Sequence, residues 1–264
     1  MLELADVNTV RNNTLENNHI AGIALFGSTG NTIEANVSTG AISTDILGNI
    51  TGYGIWLDYS PPEGNAPAWP GSGYSVGNTI NNNTFSLNQI DGVYFGQYSN
   101  LNTLTNNIIQ SNGMVGGADG NGIYFWNNTA IAGGNVVTSN TITDNHASGM
   151  ELYKSKDNTI TQNTITGNNV DSREKCGGLR IRTTSGNPIS GNLINDNNIS
   201  GNNVYGIFLN IDGKIYTIDA TNNWWGSDTG PTHTSNLPGT GDAVSDYVDF
   251  ADWLDSPFDT SPGP

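Results

Sequence analysis

Seven of the eight basic residues of this 264-residue chain fall between Lys154 and Lys214, although its net charge is −16. Glu151 and Tyr153 immediately precede Lys154, and Arg180 and Arg182 alternate along a Leu-Arg-Ile-Arg segment. A local positive patch on an acidic protein suits a polyanion such as a uronic-acid polymer. Such a polymer can be cut by removing the proton α to its carboxyl group while a cation neutralises the developing charge. Lys154, Arg180 and Arg182 are the candidate base and charge-neutralising groups. Tyr153 is a candidate proton donor to the leaving oxygen, and Glu151 completes the set. A competing reading makes Glu151, Arg180 and Arg182 a surface salt-bridge ladder, worth under about 1 kcal/mol per pair.

These residues must be positioned by a repeat. Asparagine returns every fifth residue, as in Asp157-Asn-Thr-Ile-Thr-Gln-Asn-Thr-Ile-Thr-Gly-Asn168. The same step links Asn8, Asn13 and Asn18; Asn31 and Asn36; Asn78, Asn83 and Asn88; Asn102, Asn107 and Asn112; Asn135, Asn140 and Asn145; and Asn187, Asn192 and Asn197. Between these runs stands a glycine followed by apolar, variable, apolar. Its seven copies begin at Gly22, Gly54, Gly92, Gly122, Gly149, Gly178 and Gly206. Apolar residues at steps of five do not form a helical stripe. A unit of about 23 residues with three short β segments suits one coil of a solenoid. The expected fold is all-β: a right-handed parallel β-helix of about seven coils. The asparagines sit at its corners, where Asn tolerates left-handed backbone, and form coil-to-coil amide ladders.

Period-two geometry then sorts the glycine-led strands. Residues one and three after glycine point inward. The outward columns read Ala24, Trp56, Tyr94, Tyr124, Glu151, Arg180, Phe208 and Phe26, Asp58, Gly96, Trp126, Tyr153, Arg182, Asn210. Exposed aromatics in rows invite stacking on sugar rings, and neighbouring Arg and carboxylate groups supply directed hydrogen bonds. Trp56, Asp58, Tyr94, Tyr124, Trp126 and Phe208 are therefore the candidate substrate-binding residues. Hydrolysis would need two carboxylates about 5–10 Å apart. Asp58 and Glu151 have two strands between them, roughly 15 Å at about 4.8 Å per coil. Asp144, Asp171 and Glu174 are the remaining loop carboxylates, and His146 reads as a corner residue.

The Gly-Ile-x-Leu and Asn-Thr-Ile-x-x-Asn patterns resemble the parallel β-helix repeat proteins. That group includes carbohydrate-binding and sugar-hydrolase repeats, pectate-lyase-like folds and NosD-type repeats. The tail Asn222-Asn-Trp-Trp-Gly-Ser-Asp-Thr-Gly-Pro231, with Gly241–Val244 and Val248–Leu254, is similar to the C-terminal segment of secreted members. The resemblance spans roughly residues 7 to 254. It implies a secreted or cell-surface protein that binds an acidic polysaccharide, and either cleaves it as a lyase or serves as a non-catalytic glycan- or protein-binding module. Polysaccharide lyases of this fold place basic residues on neighbouring coils, as Lys154 and Arg180 or Arg182 are here. Arg180-Ile-Arg182 is similar to a polygalacturonase strand, but that family's Asn-Thr-Asp, Asp-Asp and Gly-His-Gly signatures are absent. NosD is linked to copper-site maturation, yet three His and three Met are scattered along this sequence.

Composition agrees with a β solenoid. Only 12% of residues are charged, whereas 34 are glycine and 40 asparagine, which disfavours an α or α/β fold. Acidity disfavours nucleic acid and anionic membrane as partners, and no apolar run is long enough to span a bilayer. Cys176 is alone, so no internal disulfide forms. No metal-binding signature is present; a calcium ion held by uronate and loop carboxylates is compatible with the sequence. The opening MLELADVNTV lacks the basic and apolar regions of a signal peptide. The expected division is repeats over 1–221, a Trp-rich capping segment over 222–255 and a linker-like tail over 256–264, with room for further domains beyond either end. Insertions at 60–75, 113–121 and 169–177 flank the glycine-led face, which marks it as the decorated face.

Overall fold

The computed structural model describes residues 1–44, 50–59, 73–113, 120–126, 134–183, 189–211 and 216–259. Most of the first two insertions, Lys214 and residues 260–264 lie outside them. Strands of mostly three residues form because each places one branched or aromatic side chain inward between two short polar ones. Thr159–Thr161 and Thr164–Thr166 bury Ile160 and Ile165 completely and leave their threonines half-exposed.

The strands stack into three parallel sheets of eight, nine and seven members. Sequence neighbours lie in different sheets, and each strand pairs with its counterpart one coil away. This is a parallel β-helix of about eight coils, one more than the glycine count predicts. The additional glycine-led-sheet strand is Leu2–Glu3, paired with Leu25–Phe26. It carries no glycine motif. The interior is a continuous apolar column; Phe95 and Phe125, for example, stack with ring centres 4.7 Å apart.

The asparagine ladders are present, with a different division of labour at the corners. Asn163 is fully buried. Its Nδ2 donates to the Asn197 Oδ1 at 3.0 Å, to the Val137 carbonyl at 3.0 Å and to the Thr161 carbonyl at 2.9 Å. Its Oδ1 accepts the Asn140 backbone and side-chain N–H groups at 2.9 and 3.0 Å. None of the ladder asparagines has positive φ. The residue before nearly every one does: Gln162 has φ 59°, Ser139 58°, Leu87 55° and Ala35 53°. The left-handed turn is thus made by residues of several types. Asparagine is required instead because one amide can both donate and accept along the stack. In the coil stacked on Asn158, Asn163 and Asn168 the rungs are Asn192, Asn197 and Asn202; Asn187 lies outside the described residues.

The leading glycines have a steric origin. A Cβ on Gly92 would lie 2.8 Å from the Gly122 carbonyl and 2.7 Å from the Asn112 amide nitrogen. The ladder therefore presses against the start of this sheet and leaves no room for a side chain.

The tail continues the coil. Asn223 is the next rung after Asn197, at 3.0 Å, and Val248–Asp249 adds the ninth strand of its sheet beside Ile218–Asp219. Trp225 is fully buried in the core, and Trp253 packs over Gly230 and donates to the Asp228 carbonyl. Asp242 occupies the position after Asn202 in the third ladder, accepting its Nδ2 at 2.9 Å. Burial raises the Asp242 pKa despite the hydrogen bonds it accepts from Asn202 and Gly201.

Candidate functional site on the glycine-led sheet

The strand register places Trp56, Tyr94, Tyr124, Glu151, Arg180 and Phe208 in one outward column. Trp126, Tyr153 and Arg182 align in the second. The columns follow the alternation read from the sequence, but pointing outward does not make every member exposed. Tyr124 is 6% and Glu151 2% exposed, so both are covered by their neighbours. Trp56, Tyr94, Trp126, Tyr153, Arg180, Arg182 and Phe208 are half-buried.

The aromatic half of the column is a herringbone. Phe26 meets Trp56 at 88°, Trp56 meets Tyr94 at 89°, and Tyr94 meets Tyr124 at 79°, with centroids 5.0 to 6.1 Å apart. Edge-to-face packing of this kind matches positive ring edges to negative ring faces. Part of each ring surface is consequently used within the protein. Tyr53 joins the row, 5.3 Å from Trp56 and 5.0 Å from Tyr94. It sits immediately before Gly54, outside the positions that the glycine motif aligns. An aromatic directly before a leading glycine, repeated at Tyr205, was the signal available for it.

Asp58 leans over Gly96, where a Cβ would lie 2.4 Å from its carboxyl group. It accepts the Trp56 indole N–H at 3.3 Å and the Tyr59 backbone N–H at 2.8 Å. Burial raises its pKa more than those hydrogen bonds lower it. Desolvation also raises the Tyr94 phenol, assisted by the nearby Tyr53 and Asp58.

The charged half is tightly knit. The buried Glu151 accepts from Arg182 Nε through Oε1 and from Arg180 Nη1 through Oε2, the latter at 3.4 Å. Arg182 Nη2 also donates to the Tyr124 hydroxyl at 3.1 Å, and its guanidinium lies 4.1 Å from the Tyr153 ring centre. Lys154 Nζ lies 4.7 Å from the same ring. Three cations thus gather around one carboxylate, and the cluster remains net positive. Desolvation alone would lower the Arg182 pKa, but the Glu151 charge and hydrogen bond outweigh it and raise it. Arg180 Nε has no hydrogen-bond partner among the described residues. Lys154 adopts φ 50° at a corner, and its backbone N–H donates to the Arg182 carbonyl.

The loop carboxylates do not gather around Glu151. Asp171 binds His146 Nδ1 and Arg173 Nη2, each at 2.9 Å. Burial would raise its pKa, but these two partners lower it overall. His146 is thus a corner residue tied to the 169–177 loop. Among the described residues, no three His, Cys, Asp or Glu side chains group to hold a metal ion. No described helix is long and apolar enough to cross a membrane.

A search of curated sequences gives no match. Among solved structures, a mutant of the periplasmic alginate epimerase AlgG superposes with TM-score 0.49 and 14% identity, over 91% of this chain and 50% of that one. The present chain thus spans half that protein's length. The family model described as "Periplasmic copper-binding protein (NosD)" matches residues 39–205. That segment covers most of the asparagine rungs and five of the seven leading glycines, Gly54 through Gly178, and on this match the chain belongs to the NosD family.

Proposed function

We propose that the glycine-led sheet binds an acidic, uronate-containing polysaccharide outside the cytoplasm. The observation that carries this reading is the junction of the two halves of the outward column. A row of half-buried aromatic rings runs directly into a net-positive cluster held rigid by a buried carboxylate. Aromatic edges and faces suit sugar rings, whereas guanidinium groups suit their carboxylates. Glu151 fixes both guanidiniums before a ligand arrives, which limits the ordering cost of binding. The periplasmic description of the family accords with an extracytoplasmic location.

Binding is favoured over cleavage. Arg182 is held protonated by Glu151, which disqualifies it as a proton acceptor. A second reading, β-elimination, rests on Lys154, which makes no ion pair among the described residues and lies over the Tyr153 ring. Among the described residues, the copper in the family's description has no matching donor set. His146 and His233 are each paired with a carboxylate, Met150 and Cys176 are buried, and no described cluster gathers three ligands.

The test is affinity for polygalacturonate and for a neutral glucan, measured for the parent protein, Trp126→Ala and Arg180→Ala. Trp126→Ala is expected to weaken both. Arg180→Ala is expected to weaken polygalacturonate roughly tenfold and the glucan little, with the loss shrinking as salt rises. Unchanged affinities in both variants would refute the reading. Formation of unsaturated products, lost in Lys154→Ala and Tyr153→Phe with binding intact, would establish elimination instead.

A further inference from the structure

Beyond Arg180 along the same sheet lies a cavity of about 960 Å³ that the reading so far leaves unused. Phe208 is the register partner of Arg180, one strand farther on, at a spacing of about 4.8 Å. Tyr205 packs against Phe208 with centroids 4.8 Å apart, and together they form one wall. The other wall comes from the tail. Val244 bridges Ile207, the Ser245 N–H donates to the Ile207 carbonyl, and the Leu209 N–H donates to Ser245 Oγ. From this anchored segment rise Leu237, 88% exposed, and Tyr247, 51% exposed. Both lie at the cavity mouth, where they offer apolar surface to a ligand.

The polar groups are equally specific. His233 Nδ1 lies 2.8 Å from the Ser235 hydroxyl and 3.2 Å from the Ser235 backbone nitrogen. Its Nε2 lies 3.2 Å from Asp246 Oδ1. His233 is further held by Phe250, 5.4 Å away. The cavity therefore offers ring-sized apolar walls and a carboxylate that accepts hydrogen bonds from hydroxyl groups. No cation of the Glu151 cluster lines it.

Resting on the polysaccharide reading above, we infer that this cavity is the terminal subsite of the trough and receives the end sugar of the chain. The tail walls off the sheet just past its last strand, so a glycan lying along the aromatic row and the Arg pair meets a closed end there. The last ring sits between Phe208 and Leu237. Its hydroxyl edge faces Asp246, and its carboxylate turns back toward Arg180, away from the like charge of Asp246. The protein then recognises chain ends, and its capacity scales with the number of ends rather than with polymer mass.

The experiment uses galacturonate hexasaccharides with free ends, with the reducing end blocked by a bulky tag, and with the non-reducing end blocked. Calorimetry on the parent protein is expected to show that one block lowers affinity roughly tenfold or more and the other little. Phe208→Ala should weaken the free oligosaccharide to the level of the blocked one. Leu237→Ser, at an exposed position that leaves the fold intact, should do the same in smaller degree. Arg180→Ala should weaken all three ligands together. If neither block matters while Arg180→Ala still weakens binding, the terminal subsite is overturned and the trough stands. If no hexasaccharide binds at all, the trough itself is refuted and the terminal subsite with it.

Discussion

The glycine-led sheet and the two threonine-rich sheets hang on the same ladders and enclose the same core, yet their outer surfaces differ in kind. On the Thr159–Thr161 and Thr164–Thr166 strands, the outward residues are threonines; Thr161, Thr164 and Thr166 stack on threonines of the preceding coil, and Thr159 stacks on Val136. On the glycine-led sheet, the corresponding places hold Trp, Tyr, Arg and a buried Glu. The difference shows which positions the fold constrains. Inward and ladder positions are nearly invariant from coil to coil because each must match the coils above and below. Outward positions are free of that requirement. Only one sheet has used this freedom to build a connected layer outside the core, with its own buried members Tyr124 and Glu151.

The comparison breaks most severely if the shared ladder is cut. Asn163→Leu removes a buried amide that makes the five hydrogen bonds described above. It leaves the Asn140 backbone N–H buried without a partner, whereas the Asn140 Nδ2 keeps the Leu104 and Thr138 carbonyls. The orphaned N–H costs about 1–3 kcal/mol and each other lost hydrogen bond about 0.5–1.5 kcal/mol, so the loss should reach about 3 kcal/mol. Denaturant midpoints read this directly, and a midpoint shift equal to that of an exposed substitution would remove the ladder from the account.

Next in size is the layer unique to the glycine-led sheet. Glu151→Ala strands two guanidiniums over an apolar gap. Fully buried pairs lose about 3–5 kcal/mol on such a change. Arg180 and Arg182 are 20% and 29% exposed, so the loss here should fall below that range. Deleting Arg180 and Arg182 along with Glu151 should recover part of it. A triple variant no better than Glu151→Ala would mean that the carboxylate acts through packing alone.

A smaller effect separates the tail from the repeats. Asp242 ends a ladder with a carboxyl where earlier coils use an amide. Because burial raises its pKa, the folded protein holds this proton to higher pH than the unfolded chain does. Its stabilising contribution is full below the unfolded value of about 3.9 and is lost as pH rises through the folded value. The melting-temperature difference between Asp242→Asn and the parent should therefore grow in the variant's favour as pH rises over that window. A pH-independent difference would place the titration elsewhere. The smallest effect belongs to the plain face: Thr161→Ala should change stability by no more than about 0.5 kcal/mol and leave glycan affinity unaltered. Any loss of affinity there would mean that the functional surface extends beyond one sheet.

The sequence by itself determined the solenoid. Five-residue spacing of Asn with one apolar residue between rungs has no helical solution, and the glycine motif marked one sheet correctly for seven of its eight strands. It also determined the register, since residues equivalent in the repeat became partners in space, from Trp56 to Phe208. The strand Leu2–Glu3 escaped because its pairing is pure backbone, which any residue can supply. The cause of the asparagines was legible only in part. The amide ladder follows from composition, but only the backbone angles show that the preceding residue, whether Gln162, Ser139 or Leu87, makes the turn. Tertiary structure alone decided which outward residues are buried, because exposure depends on what the neighbouring coils place on either side. Glu151 is hidden only because Arg180 and Arg182 arrive one coil later, about 30 residues along the chain. It likewise decided the cavity beyond Phe208, whose walls are joined by the backbone bridge between Ile207 and Val244 and by the hydrogen bonds of Ser245 to Ile207 and Leu209. A repeat specifies contacts at its own period. Contacts between the repeat and the non-repeating tail have no period, so only the folded chain reveals them.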